Sequence, residues 1–183
     1  MLLKGIENER WLGYDDITPG WYSMRCAIIG DPFSCTARYV TTSEYGDLNA
    51  ASRVLIATTS TDFKDAVVEK VSKALAGDDV YVKVIDLKVV DHAESEKFDA
   101  ILLVNKLHYG HIDGHVSAFL RKSDTDKKGK IIVLTTAGDP DWKAENLDVD
   151  AISGASRSNN ISPMADQVVE KIRLKCKILP VNQ

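Results

Sequence analysis

Arg53-Val-Leu-Ile-Ala-Thr-Thr-Ser-Thr-Asp62 reads as a buried strand that runs straight into hydroxyl side chains and then into a helix. Five apolar or β-branched positions lead into Thr58, Thr59, Ser60 and Thr61, Asp62 reads as a helix N-cap, and a helical pattern begins at Phe63. A strand that ends in hydroxyls and exposed backbone N–H groups at a helix N-terminus is suited to hold an anion, most often a phosphate.

Downstream of this unit the pattern stays regular. Phe63, Val67, Val71 and Leu75 recur at helical spacing, and Gly77 reads as the stop of that helix. Residues 80–87 alternate and are β-branched, which predicts a second strand, while residues 88–97 are too short and too charged for a full helix. The run 98–104, apolar but for Asp99, has the composition of a central parallel strand covered on both faces. A loop and a helix from about Asp113, carrying Val116, Phe119 and Leu120, come next, then a buried strand over 130–136. Residues 137–147 read as a loop, and 149–152 as a short edge strand. Ser162-Pro163 reads as an N-cap with Pro at the first helical position, opening a last helix through about Cys176 with Val168, Val169, Ile172 and Cys176 inward. Strands alternating with helices predict an α/β three-layer sandwich on a five-stranded parallel sheet of order 2-1-3-4-5, with right-handed crossovers. The crossovers after the second and fourth strands read as shortened to loops.

Residues 1–50 show no clean period and hold Trp11, Trp21 and Tyr22. They read as an arm that packs on the domain or on a partner subunit, giving a homodimer, with a partly disordered leader as the alternative. Residues 41–52 turn small and polar and read as a linker, so the domain proper is expected over 51–183 and the arm over 1–50. A net charge of −4 with scattered basic residues argues against nucleic acid and against an anionic membrane surface. Neither a signal peptide nor a membrane span is read at the N-terminus, and the cytoplasm is the expected compartment. Cys26, Cys35 and Cys176 have no CxxC spacing; Cys26 and Cys35 can pair, but the odd count reads more simply as reduced thiols.

Ligands of such sheets bind beyond the carboxyl ends of the strands. Four loops are expected there: residues 58–64; Asn105-Lys-Leu-His-Tyr-Gly-His-Ile-Asp-Gly114; Thr135-Thr-Ala-Gly-Asp-Pro-Asp-Trp142; and Ile152-Ser-Gly-Ala-Ser-Arg-Ser-Asn-Asn160. Hydroxyls and N–H groups suit a phosphate, and Tyr109 and Trp142 suit a flat ring. His111 and His115 have one metal-ligand spacing, but no third ligand is evident nearby, so no metal site is assigned. Asp139, Asp141 and Trp142 read as a lid or as a Pro-containing turn with one anchoring aromatic. Ser153, Ser156 and Arg157 read as a second anion contact or as a flexible loop. A nucleophile elbow, a Walker A loop and a dinucleotide fingerprint are all missing, which sets aside hydrolase and NTPase readings.

With these residues in view, the chain resembles the flavodoxin-like family over about 125 residues. The strand with its Thr/Ser-rich turn looks like the flavodoxin phosphate loop. Phe98-Asp-Ala-Ile-Leu-Leu-Val, Tyr109-Gly-His and Val116-Ser-Ala-Phe-Leu are similar to the third strand, the flavin-facing loop and the following helix. Tyr-Gly-His is nearest to the protoporphyrinogen-oxidase-like branch of that family, and Lys130-Ile-Ile-Val-Leu-Thr-Thr-Ala-Gly-Asp resembles the fourth strand and its loop. The resemblance implies non-covalent FMN and one- or two-electron transfer with a redox partner protein. The cofactor-binding residues it implies are Thr58, Thr59, Ser60, Thr61, Lys64, His108, Tyr109, Gly110, Thr136, Gly138 and Trp142.

The phosphate loop is divergent. The family pattern Ser/Thr-x-Thr-Gly-Asn-Thr aligns its first two hydroxyls with Thr59 and Thr61, then puts Asp62, Phe63 and Lys64 where Gly, Asn and Thr belong. Gly is lost where backbone must approach a phosphate closely. An exposed Asp62 opposes a phosphate dianion by about 1 kcal/mol or less, which Lys64 can offset. Two functions follow from this sequence: an FMN-binding protein of electron transfer or flavin-dependent reduction, or a non-enzymatic interaction domain that has lost the flavin.

Overall fold

The computed structural model describes residues 39–138 and 147–178. The expectations placed on Trp11, Trp21, Tyr22, Cys26, Cys35, Asp139, Asp141 and Trp142 lie outside the described residues.

Six strands form one sheet: β1 (Ser43–Tyr45), β2 (Ser52–Thr58), β3 (Val80–Asp86), β4 (Ala100–Lys106), β5 (Ile131–Ala137) and β6 (Asp150–Ala155). Their order is β1-β3-β2-β4-β5-β6, and every pairing except β1 with β3 is parallel. The five parallel strands follow the expected 2-1-3-4-5 order. The sixth, β1, is an antiparallel edge strand inside the stretch expected to be a linker. Gly46 ends it at φ +79°, where an added Cβ would lie 2.3 Å from the Val80 carbonyl oxygen, so only glycine fits that turn.

The helices are α1 (Asp62–Gly77), α2 (Gly114–Lys122), α3 (Thr125–Lys130) and α4 (Ile161–Cys176). The crossover from β3 to β4 is made by two 3-10 turns, Leu87–His92 and Ser95–Lys97, in keeping with the shortened connection expected there. Two helix termini differ from expectation, both at N-caps. The N-cap of α1 is Thr61, whose hydroxyl accepts from the Lys64 N–H, and Asp62 is the first helical residue. α1 ends at Gly77, as expected, and the left-handed turn after it falls at Asp79 with φ 60°. The last helix starts at Ile161 behind Asn160, so Ser162 does not cap it and Pro163 sits within its first turn, where a missing N–H is harmless. The short helix α3, which buries no side chain, was not expected.

Alternation along the strands divides the core into two. Val54, Ile56, Leu102, Val104, Ile132 and Leu134 face one side and pack under α1 and α4. Leu55, Ala57, Ile101, Leu103, Ile131 and Val133 face the other and pack under α2 and the first 3-10 turn. This is the expected three-layer arrangement. Each fully buried aliphatic side chain contributes about 1.5–3 kcal/mol, so these two faces outweigh any surface ion pair in holding the layers together.

Candidate functional site at the carboxyl edge of the sheet

β2 and α1 are separated by three residues, Thr59, Ser60 and Thr61, and the hydroxyls of the turn are arranged from the inside outward. Thr58 is buried and donates to the Thr59 carbonyl oxygen at 3.1 Å. Ser60 donates to the Asp65 carboxylate at 2.8 Å, and Thr61 caps the helix at 3.3 Å. Thr59 accepts a hydrogen bond from the Lys64 ammonium and keeps its own O–H as a donor.

Lys64 is the unusual member. Its residue is only 3% exposed, because it precedes Val67 and Val68 by three and four positions and therefore lies on the inward face of α1. Burial pushes its pKa below the usual lysine range; Asp65 and Asp113 pull it back up, and Lys106 pushes it further down. Among the described residues no carboxylate lies within salt-bridge distance of it. The charge is thus held at the positive end of a helix, where a cation is disfavoured and an anion welcome.

The loop after β4 reaches the same edge. Leu107 N–H donates to the Thr136 carbonyl oxygen, and the chain then folds into a tight hairpin in which His108 and His111 exchange backbone hydrogen bonds of 2.8 and 2.9 Å. Tyr109 and Gly110 form its two-residue tip with φ 48° and 81°, the positive pair of a type I′ turn. Gly110 takes this conformation freely; Tyr109 takes it with its side chain 92% exposed and its ring edge-on to His108 at 4.6 Å. His108, His111 and His115 are exposed, and among the described residues no three potential ligands group around a metal position.

Asn105 is the site residue that sequence reading missed. It is fully buried at the end of β4, donates to the Leu134 carbonyl oxygen at 3.2 Å and to Thr135 Oγ1 at 3.1 Å, and accepts from the Asp113 N–H at 3.4 Å. Asp113 in turn caps α2 through the His115 N–H. A polar amide closing the apolar run 98–104 was the available signal. Thr136 is buried and turned back onto the Asn105 carbonyl oxygen at 3.2 Å, so its hydroxyl braces β4 against β5 beneath the hairpin. Gly138 is exposed just past β5, and among the described residues nothing lies within 4 Å of where a Cβ would stand.

Of the fourth loop, Ser153 belongs to β6, and Ser156 and Arg157 are exposed at its carboxyl end. The Ser156 N–H donates to the Ala137 carbonyl oxygen at 3.3 Å, which ties this end of β6 to β5. Residues 39–40 approach from the same edge, since the Val40 N–H donates to the Asp86 carboxylate at 3.3 Å and Asp86 pairs with Thr58 across β3 and β2. A hollow lined by Thr125, Lys128, Asp148, Asp150 and Lys175 lies at the opposite, amino end of the strands and is separate from this site. Cys176 is half-buried there, and burial pushes its thiol up to about 11, aided by Asp99, which leaves it protonated and unreactive at neutral pH.

The arrangement resembles solved structures of known proteins. A flavodoxin from the domain Archaea superposes with a TM-score of 0.51 at 14% identity, covering 67% of this chain and 98% of that one. An NADH:FMN oxidoreductase in its apo form superposes with a TM-score of 0.50 at 12% identity, covering 70% of this chain and 92% of that one. At these identities the likeness is one of fold, and the fold is flavodoxin-like. No protein-family model matches the sequence, and no curated protein matches it.

Proposed function

We propose that this chain binds FMN at the carboxyl edge of its sheet and serves in electron transfer or flavin-dependent reduction. The observation that carries the reading is the buried Lys64 ammonium, donated to Thr59 within the first turn of α1, where a phosphate end of a ligand finds a cation, a hydroxyl and a helix N-terminus together. These residues fit a phosphate in kind. They replace the missing glycine of the family pattern by charge, since Asp62 is an ordinary first helical residue and offers no close backbone approach.

In this reading Thr59 and Lys64 hold the phosphate, while Thr58, Ser60 and Thr61 keep the turn in shape through their own hydrogen bonds. Tyr109, at the exposed hairpin tip, offers a flat face to a ring, and Asn105 fixes the base of that hairpin to β5 and α2. FMN supplies the one- or two-electron chemistry when bound, and the chain's residues supply placement and exclusion of water. The flavodoxin-like fold supports this reading without establishing it.

One observation favours the alternative of an interaction domain without flavin: the Ser60 and Thr61 hydroxyls are already engaged inside the turn. Titration of the purified full chain with FMN, followed by flavin absorbance and fluorescence, decides between them. Saturable binding at low micromolar FMN is the expected outcome; a chain that leaves the flavin signal unchanged at about 1 mM FMN overturns the proposal.

A further inference from the structure

We draw no further inference here: the strongest candidate, the hollow at the amino end of the strands between α3, β6 and the last turn of α4, carries nothing, because its lysines and aspartates are already paired with one another, Lys128 with Asp148 at 3.4 Å and Lys175 with Asp150 at 2.7 Å, and nothing in the structure points to a ligand there.

Discussion

A buried lysine is costly in any fold, and Lys64 carries that cost at neutral pH. The cost has a pH signature whose sign follows from the lowered pKa in the folded chain. Between the folded pKa and the unfolded value near 10.5, the unfolded chain binds the extra proton, so stability rises with pH across that window. Below the folded pKa the penalty is present in full. Lys64→Met should therefore be more stable than wild type at pH 7 in the absence of ligand, with the advantage shrinking as pH rises toward 10.5. Urea denaturation of both proteins at a series of pH values checks this; a constant difference would show that the ammonium is not what separates them. Asn105 holds three partners at once, and at the far end of the sheet Lys175 and Lys171 hold the half-exposed Asp150 carboxyl below its usual range.

Among the elements, α4 shows how an unfavourable residue is tolerated when packing is strong. Its inner face buries Met164, Ala165, Val168, Val169 and Ile172. Gly154 of β6 makes room for it, since a Cβ there would come within 3.1 Å of the Met164 side chain. A bidentate ion pair from Arg173 to Asp78, at 2.7 and 3.0 Å, ties its last turns to the end of α1. The helix then ends at Lys177 in the left-handed region with φ 55°, and the Ile178 N–H closes onto the Arg173 carbonyl oxygen at 2.9 Å. A residue with a Cβ costs roughly 1 kcal/mol in that conformation. Lys177→Gly should therefore raise stability by about 0.5–1 kcal/mol, read as a shift in the urea midpoint at unchanged slope. Loss of stability would mean that the lysine side chain contributes more than its backbone strain removes.

At the scale of the whole molecule, β4 lies at the centre of the sheet and contributes to both cores, with Leu102 on one face and Ile101 and Leu103 on the other. Every layer meets this strand, so damage there is shared. Leu102 is fully buried, and Leu102→Ala should cost about 2–5 kcal/mol, with the far-ultraviolet circular dichroism of strands and helices lost in a single transition. Two separated transitions would show that the two faces unfold independently. The candidate site belongs to this scale too, because its parts come from segments as far apart in sequence as Thr59 and Asp113 and meet only because β2 and β4 are neighbours.

Much of this was written in local composition. Apart from Arg53, Asp99 and Lys130 near their starts, the runs 53–58, 98–104 and 130–136 are apolar or β-branched without alternation, which is what a parallel strand covered on both faces requires, and they are β2, β4 and β5 to within two residues at each end. The spacing of Val67, Val71 and Leu75 carried α1, and the charge of residues 88–97 carried the absence of a full crossover helix there. The hydroxyl-rich turn was legible because it needs only neighbours in sequence. By contrast, Ser43-Glu-Tyr45 has no pattern of its own and is a strand only because β3 offers it an open edge of backbone donors and acceptors. Thr61 and Asp62 are both good caps, and the phase of the packed helix chose between them. Whether Lys64 faced water or the interior, and that Asn105 would join β4 to β5 and α2, depended on which surfaces the sheet order brought together. Propensity and periodicity act over a few residues, whereas burial and charge environment are properties of the assembled layers.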